Sequence, residues 1–198
     1  MKNTIKHYDL LIDEGFNFAT DSPILREYMD KWDGEDFIKQ LNLSNNIDIL
    51  EIGVGTGRLA DKTINKCNSF VGIDISPKTI EKAKQNFINS QKIKLICGDF
   101  IQYNFDKVFD LIYSSLTFMH IEDKEKAIFK VRSLLNDKGR FVISLDKNQD
   151  NILDYGTRKI RIFPDNPNEI INLIEKSGMI FEEKFETEFA IIISAITP

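Results

Sequence analysis

From Ile47 onward, short apolar runs alternate with longer amphipathic stretches, and this rhythm leaves few architectures open to the chain. Asp48–Ile52 reads as a first strand, followed by a glycine-rich turn and a helix over residues 58–66. Residues 69–75 form a second strand built on Phe70, Val71 and Ile73, and Pro77 opens a helix that reaches about residue 89. Proline suits a first helical turn, where its missing N–H has no partner to lose. Residues 92–97 and 108–114 give two more strands. Residues 122–135 place Ala127, Ile128, Val131, Leu134 and Leu135 on one helical face. Residues 136–139 stop that helix and residues 140–145 make a fifth strand. Strands and helices in strict alternation predict a parallel sheet with helices on both faces.

The end of the chain departs from this rhythm. Residues 170–176 are helical, but the apolar runs at 179–185 and 189–196 are separated only by Glu186, Thr187 and Glu188. A parallel crossover needs about a dozen residues, so this pair is an antiparallel hairpin. The expected fold is a doubly wound α/β sheet of seven strands with the last one reversed. Residues 47–198 form its core and residues 1–46 an N-terminal helical cap, all within one domain. In the cap, Ile24, Leu25, Tyr28, Met29 and Trp32 share a helical face, with Asp21 or Ser22 as N-cap and Pro23 in the first turn. Phe37, Ile38, Leu41 and Leu43 suggest a second short helix. Such a cap either covers one end of the sheet or acts as a lid over a ligand.

Composition narrows the function. With 198 residues, 42% apolar and 29% charged, the chain has the balance of a soluble globular protein. Its net charge of -5 makes nucleic acid and anionic membranes poor partners. No run approaches the ~18 apolar residues of a membrane span. The first ten residues carry no apolar stretch of a secretory signal, and Cys67 and Cys97 form no paired motif. These features predict a cytoplasmic location, and no metal-ligand cluster is recognisable.

The chemistry lies at the ends of the strands. Glu51-Ile52-Gly53-Val54-Gly55-Thr56-Gly57 joins the first strand to a helix, so backbone N–H groups and the helix N-terminus can approach a ligand. Its spacing is GxGxG, not the GxGxxG of dinucleotide enzymes. Asp74 closes the second strand, where a carboxylate accepts from both hydroxyls of a ribose. Asp74 as a helix cap is the alternative, but Ser76 is the better cap before Pro77. Asp99, in Cys97-Gly98-Asp99-Phe100, either shapes a turn or accepts from an adenine amino group while the Phe100 N–H donates to the ring. All three stand on the carboxyl edge of the sheet, where open α/β folds bind ligands.

Taken in order, residues 51–57, 71–76, 97–100, 109–121 and 134–145 resemble the successive motifs of class I, S-adenosylmethionine-dependent methyltransferases, nearest to the small-molecule branch labelled type 11 or type 25. The resemblance spans residue 47 to the end. It implies a Rossmann-like seven-stranded fold with a reversed last strand, and S-adenosyl-L-methionine as cofactor, converted to S-adenosyl-L-homocysteine. It also implies roles for Glu51, Gly53, Gly55 and Gly57 beside the methionine portion and for Asp74 on the ribose. Ile75 packs on the adenine, Asp99 and Phe100 read its edge, and the backbone of Ser114 lies near the methionyl amino group. Strand four ends in Tyr113-Ser114-Ser115-Leu116 rather than the Asn/Asp-Pro-Pro-Tyr/Phe of nucleic-acid and glutamine methylators, which directs the acceptor toward a small molecule.

Other residues have two readings each. His120, just past strand four, is either a general base or a packing and capping residue of the next helix. His7 and Tyr8 lie early in the chain, where related enzymes bring a tyrosine near the cofactor. Tyr155, Arg158, Lys159 and Arg161 form a basic cluster in an acidic protein, either as a charged edge strand over residues 157–163 or as a cation for an anionic acceptor. An NAD-dependent oxidoreductase shares the glycine turn and Asp74, but the GxGxG spacing, Asp99 and the terminal hairpin oppose it. A non-catalytic cofactor-binding protein of the same fold is the other rival.

Overall fold

The computed structural model describes residues 2–198, so residue 1 of the expected cap lies outside the described residues. Three helices come first: α1 (Lys2–Asp13), α2 (Pro23–Met29) and α3 (Gly34–Gln40). The alternating core follows with β1 (Asp48–Ile52), α4 (Arg58–Thr63), β2 (Ser69–Asp74), α5 (Pro77–Asn86), β3 (Ile93–Cys97), β4 (Phe109–Ser115), α6 (Lys124–Leu134) and β5 (Leu135–Asp146). A small hairpin, β6 (Ile152–Asp154) and β7 (Lys159–Arg161), precedes α7 (Pro167–Lys176), β8 (Ile180–Glu186) and β9 (Ala190–Ile196).

The main sheet has the order β3-β2-β1-β4-β5-β9-β8. β1 to β5 run parallel, while β9 is antiparallel to both of its neighbours, as the three-residue connection requires. The chain winds outward from β1 to β3 and then returns to β4 on the other side of β1. The resulting switch point lies between the carboxyl ends of β1 and β4.

Strand alternation sends neighbouring residues to opposite helical layers. Leu50, Ile112, Phe141 and Ile143 pack with Ile128 and Val131 of α6 and Ile170 and Ile174 of α7. Ile49, Phe70, Leu111 and Val142 pack with Phe37 of α3, Leu59 of α4 and Ile80 of α5. Both faces are buried, which is why the parallel strands read as continuous apolar runs.

Three expectations need adjusting. Residues 136–139 do stop α6, but the fifth strand begins before them, because Leu135 already pairs with Phe109 and pairing resumes at Arg140 opposite Leu111. The intervening excursion is held by Thr197, whose hydroxyl donates to the Asn136 carbonyl and accepts from the Gly139 N–H at 2.8 Å. Of residues 157–163, expected as a charged edge strand, only 159–161 form it, in a separate two-stranded sheet. β7 pairs only with β6, burying Ile160 and leaving Lys159 and Arg161 exposed. Finally, Ser22 does cap α2, but Ile24 is 80% exposed and Trp32 lies beyond the helix end.

Candidate active site

A cavity of about 930 Å³ opens at the carboxyl ends of β1 to β5. That is the upper end of the ~300–1,000 Å³ usual for ligand sites. Each strand end contributes to its wall: Glu51 to Thr56 from β1, Asp74 and Ile75 from β2, Asp99 and Phe100 from β3, Ser115 to Thr117 from β4 and Asp146 from β5. Helices α1 and α2 and the β6–β7 hairpin close the outside through Tyr8, Leu25, Met29, Leu153 and Tyr155.

The glycines of the first turn differ in what they do. Gly55 has φ +57° and nothing within 4 Å of where a Cβ would lie, so it leaves the cavity wall open. Gly53, also on the wall, passes so close to Thr117 that a Cβ would lie 1.9 Å from its Oγ1. Gly57 stands outside the lining, contrary to its expected place beside the ligand. It caps α4 in a left-handed conformation, φ +105°, and a Cβ there would lie 2.2 Å from a ring carbon of Phe87.

Asp74 and Asp99 both face the cavity, but neither carboxylate is wholly free. Asp74 Oδ2 accepts from the Gly55 N–H at 3.1 Å and Oδ1 from the Ser76 N–H at 2.9 Å. Burial raises its pKa, against the backbone donors that favour the charge. Ser76 takes the capping role as expected, accepting from Thr79 N at 3.1 Å. Asp99 Oδ1 accepts from Ile101 N at 2.8 Å, which leaves Oδ2 uncommitted. Ile75 and Phe100 line the cavity beside them.

The side chains of Ser114 and Glu51 are both buried. Ser114 is fully buried, and its hydroxyl donates to the Ile52 carbonyl at 2.9 Å. Its neighbour Ser115 reaches the cavity and donates to Asp33 at 2.9 Å. Glu51 lies on the wall but is buried, with the Tyr113 hydroxyl donating to it at 3.0 Å, and burial holds its carboxyl well above the usual carboxylate range.

His120 ends a short 3-10 turn and lines the cavity, with its Nε2 2.6 Å from the Tyr8 hydroxyl. Its Nδ1 is buried without a partner. Burial first, then the neighbouring His7 and Lys124, lower its pKa to about 4, so the ring is neutral at pH 7. Lys124 fixes this turn: its ammonium pairs with the buried Asp165 at 2.6 Å and donates to the carbonyls of Phe118 and Phe163. The His120 ring is packed with one edge on the cavity, and the cap of α6 is Asp123 instead.

Two parts of the site escaped the sequence reading. α1 had no apolar signature, yet it forms a wall of the cavity. Its Asp9 accepts from Ser76 Oγ at 2.7 Å, and its Asp13 pairs with Lys78 at 2.6 Å. Glu14, just past its end, takes both terminal nitrogens of Arg158, at 2.5 and 2.7 Å, while Arg158 Nε donates to His7 at 2.8 Å. Arg158 therefore docks α1 on the hairpin and is not available to an anionic acceptor. Lys159 pairs with Asp154, and Arg161 lies over the Phe163 ring. The second omission is Asp33, buried between α2 and α3, where Arg58 pairs with it bidentately and also reaches Asp30 at 3.3 Å. Burial raises the Asp33 carboxyl, but the Arg58 bonds outweigh it and hold the group below its usual range.

The comparisons with known proteins agree with this geometry. Residues 50–143 match the methyltransferase domain family. A malonyl-[acyl-carrier protein] O-methyltransferase of Ilyobacter polytropus is 31% identical over 162 residues, covering 73% of this chain but 60% of that protein. An uncharacterised methyltransferase of Anoxybacillus flavithermus is 35% identical over 123 residues, 60% of this chain and 56% of the relative. The chain thus spans less than two thirds of either relative's length. Among solved structures, the N-methyltransferase NodS of Bradyrhizobium japonicum WM9, in complex with S-adenosyl-L-homocysteine, superposes with a TM-score of 0.74 at 19% identity, over 99% of both chains. An S-adenosylmethionine-dependent methyltransferase of Clostridium acetobutylicum gives 0.69 at 19% identity, over 99% of this chain and 98% of that one.

Proposed function

We propose that the chain is a class I methyltransferase, on its fold and on the match of residues 50–143 to the methyltransferase domain family, and that it methylates a small-molecule acceptor with S-adenosyl-L-methionine. The observation that carries the reading is the cavity at the switch point, around which the glycine turn, Asp74 and Asp99 follow one another in strand order. We take residues 1–46 as the cap and residues 47–198 as the core of one methyltransferase domain. The free thiols of Cys67 and Cys97 favour the cytoplasm. No described helix is long and apolar enough to cross a membrane.

The residues present suit the cofactor. Gly55 faces open space, and Thr79 Oγ1 at the cavity wall is buried without a partner. Asp74 retains a lone pair on each oxygen for ribose hydroxyls, and Asp99 Oδ2 is available to an amino group. Ile75 and Phe100 supply apolar faces for a purine. Gly53 and Gly55 line the path of the methionine portion, with Ser115 on the same cavity wall. Glu51 stands on the wall itself, held from behind by the Tyr113 hydroxyl. When bound, the cofactor supplies a methyl group already activated on a sulfonium.

The chain then has to align the acceptor, exclude water and receive a proton where the acceptor must lose one. Tyr8 and His120 are the pair that suits the last task. The neutral imidazole has a lone pair to accept a proton, and the phenol beside it stays protonated because burial raises its pKa.

Thermal or chemical denaturation with added S-adenosyl-L-homocysteine tests this function. At a hundredfold excess over Kd, stabilisation of about 2.7 kcal/mol is expected. NAD is expected to give none. Stabilisation by NAD with no response to the sulfur ligand overturns the reading.

A further inference from the structure

The methyltransferase reading puts the nucleoside at the β2 and β3 ends, so the acceptor enters from the β4 and β5 side, under α1 and the β6–β7 hairpin. Among the described residues, that side carries a cation, Arg158, which lies 5.6 Å over the Tyr155 ring and is paired with Glu14, and an unpaired carboxylate. Asp146, at the end of β5, accepts from the Trp32 indole N–H at 3.1 Å and from the Asn148 N–H at 2.7 Å. Both donors are neutral, and among the described residues no cation pairs with this half-buried carboxylate. The nearby cations are spent elsewhere: Arg158 on Glu14 and His7, Lys124 on Asp165 and two carbonyls. The exposed Lys126 stands at the opposite end, on α6 beside Tyr103.

We propose that the acceptor is an amine, taken up in its ammonium form by Asp146 with the rings of Trp32, Tyr155 and Tyr8 lining the same cavity. It passes one proton to the Tyr8–His120 pair, and the freed lone pair then forms the N–CH3 bond as the S–CH3 bond breaks, the positive charge moving from sulfur to nitrogen. Three observations support this chemistry. First, a carboxylate removed from bulk water and left without an ionic partner is costly, and an ammonium supplies the missing charge and up to three donors. Second, Trp32, Tyr155 and Tyr8 all line the same cavity, and aromatic faces attract a cation once it is desolvated. Third, a carboxylate or phosphate acceptor meets Asp146 with no free cation to offset the repulsion. The anionic acceptor suggested by the basic cluster at 155–161 is thereby replaced by a cationic one. The proposal rests on the methyltransferase reading and fixes its substrate class.

The test uses matched probes on the full chain loaded with S-adenosyl-L-homocysteine. Phenethylamine and hexylamine are compared with 3-phenylpropanoate and hexanoate by titration calorimetry, and the amines are then assayed for methyl transfer from labelled cofactor. Amines are expected to bind at least about tenfold tighter than the acids of the same skeleton. Asp146→Asn should weaken amine binding roughly ten- to a hundredfold without weakening the acids, and with the homocysteine ligand bound as before. Tyr155→Leu, which removes a ring but no negative charge, should weaken amines about two- to fivefold. Acids that bind as well as amines, amines that do not bind at all, or an Asp146→Asn protein with unchanged amine affinity each overturn the proposal. Failure of S-adenosyl-L-homocysteine itself to bind is a different result, and it overturns the methyltransferase reading instead.

Discussion

Gly55 and Gly57 belong to one sequence motif, yet the space around them assigns one to the ligand and the other to the fold. A methyl group at Gly55 meets nothing within 4 Å, whereas at Gly57 it collides with Phe87. Both have positive φ, so both carry backbone strain when substituted. Gly55→Ala should therefore cost only about 1–2 kcal/mol of stability, but sharply weaken S-adenosyl-L-homocysteine by filling the wall of its site. Gly57→Ala should cost more stability, about 2–4 kcal/mol when the clash adds to the strain. Urea denaturation and calorimetry on the two variants separate these outcomes, and equal losses of stability would refute the division. That Gly53, Gly55, Asp74 and Asp99 would share one cavity was legible because turn chemistry is local and sits at the end of a recognisable strand. Ser115 and Asp33 were not. On strand β4 the choice between Ser114 and Ser115 depends on register, and the Arg58–Asp33 pair joins residues from separate helices with no periodic mark.

At the scale of elements, the strands, α4 to α7 and the terminal hairpin could be read because burial imposes a period on apolar residues. α1 could not, because its attachments are polar: Asp9 and Asp13 to the start of α5, His7 and Glu14 to Arg158, Tyr8 to His120. Polar contacts at irregular spacing leave no such period. The small hairpin was read only in part: β7 was expected as an edge strand, but its short partner β6 carries too few residues to show a period. Arg158 joins α1 to the hairpin, so Arg158→Gln should loosen them together. Hydrogen exchange of α1 and of residues 152–161 should speed up in that variant, while β1, β4 and β5 exchange as before. Unchanged exchange in α1 would mean that the contacts to α5 hold it alone.

The sheet order of the whole molecule gathers five strand ends around one cavity, and the cap closes that cavity by burying two histidines. His7 is 2% exposed, and burial followed by the charge of Arg158 lowers its pKa to about 4, the same value that His120 reaches. In the unfolded chain both titrate near 6.5. Above that pH both states leave the rings neutral, and the histidines have no effect on stability. As pH falls from 6.5 to about 4, the unfolded chain binds protons that the folded chain refuses, so stability declines. The slope is at most about 1.4 kcal/mol per pH unit for each histidine, and the decline ends once the folded rings are protonated too. Glu51, Asp74 and Asp165 act in the opposite sense, because their raised values let the folded state take up protons first. A comparison with His7→Gln removes that background. Urea midpoints measured from pH 7 to pH 4.5 should fall less steeply in the variant than in the wild type, with the gap opening below pH 6.5. Parallel curves across that range would show that His7 takes up a proton in the folded protein as readily as in the unfolded chain, and that α1 does not seal it from water.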